Sequence, residues 1–353
     1  MKPHPTRTTR AARGFTLIEI LVALAIGTFM LLGLTMLFSR NSNNQAELER
    51  GTRQLESARY SIDMLTEDVM HAGYFGEFNP EGLVAITGVY SLPVDWQTPD
   101  PCAVLPANLG WATHAPSLAV DAPIRMPVPI EGIAAATAVG CLNNRRPGTE
   151  AVVVRRAETG AATTLAAATP NNLYVQVSRC DNVIEPSIRA AVGASPAFNL
   201  RLPDCATVNN SVRRLSQRTY FIATCNDCAA NDGIPTLKRV EMIDGALRTM
   251  SVAEGVENLQ VEYGLDTDPA SAGTPDAYVT TGGVTGVGPN TWQNVVSVRL
   301  HLLTRSTQPT AGYTETRTYQ LGPNVSVAAP ADGNKRTLLT TTVRLQNVGG
   351  RRE

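Results

Sequence analysis

Histidine is scarce in this sequence: His4, His71, His114 and His301 are the only four among 353 residues. That leaves little material for a histidine-based active site. Charge is sparse as well, at 17% of residues with a formal net charge of −1, so no chain-wide basic surface for nucleic acid is indicated. No acidic or basic block dominates and apolar content is an ordinary 43%, which disfavours disorder. The sequence contains no His-Glu-x-x-His, no Gly-x-Ser-x-Gly and no Gly-x-x-x-x-Gly-Lys, so three common catalytic or phosphate-binding classes have no footing. No internal repeat is evident. What the chain does have is length enough for one large domain or two modest ones, and a first 40 residues unlike the rest.

Residues 1–14 carry Lys2, Arg7, Arg10 and Arg13 and no acid; the remaining chain holds 26 basic against 31 acidic residues. From Phe15 to Phe38 the only charge is Glu19. As a helix these residues would span roughly 36 Å, against a hydrocarbon core of about 30 Å. The preceding basic cluster places the N-terminus in the cytoplasm and everything after Arg40 across the membrane. A secretory signal peptide would have a shorter apolar run ending in a small-x-small site. Here Ser39-Arg40-Asn41-Ser42-Asn43-Asn44 offers none, and the small residue, Gly14, comes before the run.

Arg13-Gly14-Phe15-Thr16-Leu17-Ile18-Glu19 resembles the prepilin signature of type IV pilins and the related pseudopilins. The resemblance implies a cut between Gly14 and Phe15 by a membrane prepilin peptidase and N-methyltransferase, with Phe15 as the methylated new terminus. A carboxylate inside a membrane helix costs on the order of 2.5–3.5 kcal/mol at the centre and less near an end. Cleavage would create an amine four residues from Glu19 on the same helical face, so Glu19 could be neutralised within the chain or by the next subunit. The family favours the second arrangement, with Glu19 guiding docking into a growing filament.

Beyond the apolar run, Leu48, Gly51, Leu55, Ala58, Ile62, Leu65, Val69 and Ala72 recur at alternating spacings of three and four, tracing one stripe on a helix. Glu49 and Arg53 stand at i,i+4 on the other side, and Gly73 supplies a left-handed stop. An unbroken helix from Phe15 to Ala72 would be about 87 Å long. The stripe suits packing on the chain's own sheet better than a partner coiled coil. From Gly73 onward short alternating runs predict strands at 83–90, 150–156, 173–178, 219–224, 236–242, 258–263, 294–304, 316–321 and 336–346. Within 294–304, Val296, Val298, Leu300 and Leu302 share one face and Ser297, Arg299 and His301 the other, which predicts burial on one side only. Residues 91–149 and 266–292 read as long surface connections.

All six cysteines, Cys102, Cys141, Cys180, Cys205, Cys225 and Cys228, follow the apolar run, and an even count beyond a membrane suggests disulfides. Six allow fifteen connectivities; pairing of sequence neighbours (Cys102–Cys141, Cys180–Cys205, Cys225–Cys228) is the expectation. Cys225 and Cys228 would lie about 10 Å apart in a straight strand, but the turn formers Asn226 and Asp227 could close the gap. A zinc site lacks a second close pair, and a thioredoxin-type pair lacks a βαβ context. Asp266-Thr267-Asp268 begins like a calcium loop, but Ala270 and Ala277 occupy ligand positions, so an ordinary acidic loop is the better reading. The stretch from Gly282 to Gly288 lacks dinucleotide-binding spacing. No cofactor or metal is implied.

The stretches from Val256 to Asp266, Val295 to Leu303 and Arg336 to Asn347 resemble the C-terminal region of PilW-type minor pilins. The resemblance implies an α+β, type IV pilin-like fold with a long N-terminal helix on a large antiparallel β-rich domain. Its divisions would be a leader (1–14), a transmembrane and filament-core helix (15–40), its amphipathic continuation (41–72), a variable β-rich region (73–215) and a PilW-like sheet region (216–353). It further implies a non-catalytic subunit that primes or caps a type IV pilus serving twitching, attachment or DNA uptake. Its partners would be other minor pilins, the major pilin and a tip adhesin. The inner membrane would hold it before assembly, with its C-terminal domain in the periplasm. A minor pseudopilin of a type II secretion system is the alternative, and a membrane-tethered periplasmic enzyme is a more distant one.

Overall fold

A computed structural model of the chain describes residues 14–78, 94–104, 108–111, 124–180, 188–206, 210–268, 272–286, 288–350 and 352. The predicted strand at 83–90 and the leader through residue 13 lie outside these. The chain divides into two compact units, Met1–Thr52 and Arg53–Glu353. One helix, α1, runs from Leu17 to Met70. It contains no proline and ends where Gly73 takes φ +75°, the left-handed conformation that a glycine adopts without a Cβ penalty. A backbone hydrogen bond ties down the residues just beyond its end: the Gly73 N–H donates to the Arg155 carbonyl at 3.0 Å.

The second unit is built on fifteen strands among the described residues: β1 (Val94–Gln97), β2 (Ile124–Pro127), β3 (Ile130–Ile133), β4 (Ala151–Ala157), β5 (Leu173–Val177), β6 (Ile188–Val192), β7 (Arg213–Ala223), β8 (Thr236–Ile243), β9 (Ala246–Glu254), β10 (Val256–Leu265), β11 (Ala277–Thr280), β12 (Val295–Arg305), β13 (Thr318–Gln320), β14 (Ser326–Ala328) and β15 (Arg336–Arg344), followed by a one-turn helix, α2 (Gln346–Gly349). A seven-stranded sheet has the order β3-β4-β7-β5-β6, with β8 on β7 and β9 on β8. A four-stranded sheet has the order β11-β10-β12-β15. All pairings in both are antiparallel, whereas the separate pair β1–β2 is parallel. The fold class is α+β.

Register explains why the four-stranded sheet buries a face. Across β10, β12 and β15 the pairing aligns Tyr263, Val298 and Val343 in one row and Leu259, Leu302 and Leu339 in another. Because side chains alternate between faces, these rows form a continuous apolar surface. It joins one core with Ile130, Val152, Val154, Tyr220 and Ile222 of the larger sheet and with Leu65, Val69 and Ala72 from the last turns of α1 and just beyond. Each fully buried Leu or Val there contributes about 1.5–3 kcal/mol. The predicted helical stripe thus packs on the chain's own sheets from Ala58 onward, while Leu48 and Leu55 stay 72% and 47% exposed.

On that buried face α1 also carries a charge. Asp68, 2% exposed, accepts from Arg156 at 2.8 and 3.1 Å, from Arg218 at 2.7 Å and from the Tyr220 hydroxyl. Burial pushes the Asp68 carboxyl up, but Arg218, the Tyr220 hydroxyl and Arg156 outweigh it and hold the carboxyl below its ordinary value. Arg218 reaches on to Glu241 at 3.2 Å. The helix is therefore pinned to β4 and β7 by an ionic cluster as well as by apolar contact.

Three sequence expectations are corrected. The described residues of 91–149 are not a surface excursion: β1, β2 and β3 lie among them, and Trp111, Met126 and Ile130 are buried. Their strands are four residues long and flanked by prolines, too short to show alternation. The 266–292 stretch contains β11 and delivers Trp292 edge-on to Tyr263, with ring centroids 4.8 Å apart. Strand β12 is buried on both faces, because Leu303 packs with Tyr319 and Leu321 from the region of the β13–β14 hairpin, while Ser297 and His301 are 3% and 6% exposed. The division at 215/216 falls inside β7, so the seven-stranded sheet draws on both sides of it.

Candidate functional site

The N-terminal residues singled out by the sequence lie at the start of α1. Gly14, Phe15 and Thr16 have no regular secondary structure, and helical geometry begins at Leu17. Gly14 is exposed, and a Cβ placed on it would meet nothing within 4 Å; Phe15 is 83% exposed. The Gly14–Phe15 peptide bond thus stands open and outside the helix.

Thr16 sets that boundary. Its backbone N–H and its hydroxyl each donate to Glu19 Oε2 at 2.9 Å, and the Glu19 N–H donates back to Thr16 Oγ1 at 3.3 Å. This is a capping box: two helix-terminal donors that would lack intrahelical partners are satisfied reciprocally. Glu19 is therefore held in the first turn, where a carboxylate also faces the positive end of the helix dipole. Sequence reasoning paired Glu19 with the amine that cleavage would create and passed over Thr16. The signal was present as Thr-x-x-Glu ahead of an apolar run.

Behind the cap, from Ile20 to Phe38, the helix carries no charge and is apolar on every side but for Thr28 and Thr35. An 18-residue window reaches a mean hydropathy of 2.4 with none of it buried, long and apolar enough to cross a membrane. The two hydroxyls within it are satisfied locally: Thr28 donates to the Ala25 carbonyl at 2.9 Å, and Thr35 to the Leu31 and Leu32 carbonyls at 3.0 and 2.9 Å. In hydrocarbon that matters, since an unpaired polar group there costs several kcal/mol.

The cysteines lie far along the chain from this segment, as three disulfides in the second unit: Cys102–Cys141, Cys180–Cys205 and Cys225–Cys228, with Cα separations of 5.6, 5.0 and 5.0 Å. The turn through Asn226 and Asp227 is held by Asp232, which accepts both of their N–H groups at 3.0 and 2.8 Å. In the acidic loop, Asp266 accepts the Gly273 N–H at 3.0 Å and faces Arg352 at 3.5 Å, and Asp276 accepts the Thr267 N–H at 2.7 Å. Both carboxylates are engaged by the protein. Among the described residues, no group of three or more His, Cys, Asp or Glu side chains is arranged to hold a metal ion.

Comparison with known proteins adds to this geometry. Residues 219–347 match the family model described as type IV pilus-assembly protein W. Residues 9–35 match the prokaryotic N-terminal methylation motif, a span that contains Gly14, Phe15 and Glu19. Each model matches less than half of the chain, and together the two matches make it similar to PilW-type, prepilin-like proteins. No curated protein matches the chain. Among solved structures, it is similar to the type IV-like pilin TTHA1219 from Thermus thermophilus, with 14% identity and a TM-score of 0.24 over 57% of this chain and 80% of that one. A likeness that loose carries no argument about topology.

Proposed function

With a PilW-type prepilin as the premise, we propose that this chain is a minor subunit of a type IV pilus that helps to prime or cap the filament. The observation that carries the reading is the juxtaposition at the N-terminus. An exposed, non-helical Gly14–Phe15 bond stands directly ahead of a capped helix whose first turns, from Ile20 to Phe38, are apolar and unburied. A peptidase requires an extended, accessible bond, and the capping box ends the helix short of it. Prepilin peptidase would cut there and methylate Phe15. Before assembly the helix would be the single membrane anchor, with its N-terminus cytoplasmic and the β-rich domain periplasmic. Among the described residues nothing buries that apolar window, so neighbouring helices in a filament core would cover it.

Glu19 would act in docking. A filament core excludes water, and a buried carboxylate needs a cation. The new amine of Phe15, on this chain or its neighbour, supplies one. The role is structural assembly rather than catalysis; other minor pilins, the major pilin and a tip adhesin would be the neighbours.

Intact-mass and N-terminal peptide analysis of protein from cells tests the processing step. Expected is a mature chain beginning with N-methyl-Phe15; retention of Met1, or a start downstream of Phe38, would overturn it. Glu19→Ala is expected to be cleaved normally yet to be depleted from sheared pili. Deletion of the gene tests the assembly itself: loss of surface pili supports the proposal, whereas intact pili with lost exoprotein secretion would assign the chain to a type II secretion system.

A further inference from the structure

The pair Cys225–Cys228 differs from the other two disulfides. Cys102–Cys141 and Cys180–Cys205 span 39 and 25 residues of sequence, and Cys225–Cys228 spans 3. The entropy a cross-link removes from the unfolded chain grows with loop length, so this bond contributes least to stability. Its two sulfurs are also unequal. Cys225 follows the end of β7 and is 4% exposed, whereas Cys228 sits on the turn and is partly exposed.

The third difference is Lys238 on β8, a lysine only 8% exposed. Its ammonium donates to the Asn226 carbonyl at 2.9 Å and to Cys228 Sγ at 3.3 Å. Among the described residues no carboxylate oxygen forms an ion pair with it within 4.0 Å. The acids around the turn are occupied otherwise. Asp232, close enough to feel the lysine's charge, accepts the N–H groups of Asn226, Asp227 and Ile234. Asp227 accepts those of Ala229 and Ala230, and Glu254 accepts from the Asn226 amide. A buried ammonium is ordinarily paired with an anion. A disulfide sulfur is a weak neutral acceptor, whereas a thiolate on the same atom would complete an ion pair.

We infer that Cys225–Cys228 is a thiol–disulfide exchange site, poised by the Lys238 ammonium and able to accept electrons from a protein dithiol. The partner's thiolate attacks the exposed Cys228 sulfur; the Cys225–Cys228 bond breaks, and its electron pair leaves on Cys225, which takes up a proton. The partner's second thiol loses a proton and attacks its own sulfur in the mixed disulfide, releasing Cys228 as a thiolate against Lys238. Two electrons pass to this chain, the partner becomes a disulfide, and the proton lost by the partner balances that gained by Cys225. Run backwards, Cys228 is the attacking thiolate and Cys225 the resolving thiol.

The full-length chain in detergent is equilibrated at pH 7 with graded ratios of reduced to oxidised glutathione, trapped with iodoacetamide and mapped by peptide mass spectrometry. Expected is opening of Cys225–Cys228 while the other two disulfides remain closed, with Cys228 alkylated faster than Cys225. Its alkylation rate should show a midpoint below the ordinary thiol value of about 8.5. Lys238→Met should lower the equilibrium constant for reduction by roughly 10- to 100-fold, the strength of one charge-assisted hydrogen bond, and Lys238→Arg should largely restore it. Opening of this pair together with or after the others, or an unchanged constant in K238M, would overturn the inference. Should K238M fail to fold, the wild-type opening order and the Cys228 midpoint decide, a midpoint at or above 8.5 counting against it.

Discussion

Replacement of Asp68 by alanine tests whether the ionic cluster or the apolar stripe holds the end of α1. In the native chain the carboxylate accepts from Arg156, Arg218 and Tyr220, and the flanking Arg156 and Tyr220 are themselves 7% and 0% exposed. Asp68→Ala removes the anion and leaves two guanidinium groups and a hydroxyl facing an apolar side chain. Breaking a buried pair from one side costs about 3–5 kcal/mol, chiefly through the charge left behind. Total stability of a domain is about 5–15 kcal/mol, so a loss of that size is large. Urea unfolding followed by fluorescence of Trp96, Trp111 and Trp292 would show it as a lowered midpoint with an unchanged slope. Asp63 on the exposed side of the same helix is the control, and D63A should stay within about 0.5 kcal/mol.

The same variant carries a pH signature. Asp68 has a carboxyl held below its ordinary value in the folded state, so its contribution is present above the unfolded value near 3.9 and is lost as pH falls through the lower, folded value. The wild type should lose that share of stability below about pH 4, and D68A should not. The double variant D68A/Y220F should be less damaged than the two single losses added together, because the orphaned hydroxyl is gone. A D68A penalty under about 1 kcal/mol at pH 7 would refute the reasoning and leave apolar burial of Leu65, Val69 and Ala72 as sufficient.

Other expectations follow from single contacts. Thr16→Ala breaks the capping box at a cost of about 1 kcal/mol, so amide exchange at Leu17–Glu19 should rise about fivefold in micelles without loss of the helix beyond. Glu150 is pushed up chiefly by burial, against hydrogen bonds from Thr281 and the Val261 N–H and the charge of Arg145; Glu150→Gln keeps an acceptor for the Val261 N–H. A raised carboxyl favours folding below its unfolded value and loses that advantage as pH rises through the folded one, so E150Q should be as stable as wild type near pH 4 and more stable at pH 7 in paired urea titrations. Removing Cys102–Cys141 by double serine substitution should cost about 4 kcal/mol from loop closure, against less than about 2 kcal/mol for Cys225–Cys228, read from urea midpoints.

What could be read from the chain depended on whether a pattern was long compared with its period. The apolar run from Phe15 and the three-four stripe to Ala72 extend over many turns, so α1 and its Gly73 stop were legible almost to the residue. Strands β4, β5, β8 and β12 alternate or run apolar for five residues or more and were found within a residue or two of their ends. Strand β9 was not, because Ala246–Glu254 is mostly exposed and shows no apolar face. The PilW-like segment was recognised, yet the second face of its sheet was misjudged. Its polar residues suggested solvent, but Glu262 is there to receive His301 at 2.9 Å and Arg299 at 3.2 Å, with Thr340 at 3.0 Å on the other ring nitrogen of His301.

That misjudgement has a physical cause that bears on the candidate site too. A polar residue is scored by type in a sequence, whereas its cost in a fold depends on whether a partner stands within 3 Å, and partners come from strands distant in the chain. Glu262 and His301 are 39 positions apart, and Asp68 and Tyr220 are 152. Thr16 and Glu19 are only three apart, so their reciprocal cap is legible as Thr-x-x-Glu ahead of an apolar run, beside the expected pairing of Glu19 with an amine. The proposed docking role of Glu19 need not compete with the cap: both contacts of the carboxylate with Thr16 use one oxygen, Oε2, and the third contact is the Glu19 N–H donating to Thr16 Oγ1, which leaves Oε1 for a cation brought by assembly. Thr16→Ala should therefore loosen the helix start without abolishing incorporation into pili, and Glu19→Gln, which can still accept from Thr16, should keep the cap and lose incorporation. If both variants behaved alike in sheared-pilus fractions, the carboxylate's charge would not be the docking determinant.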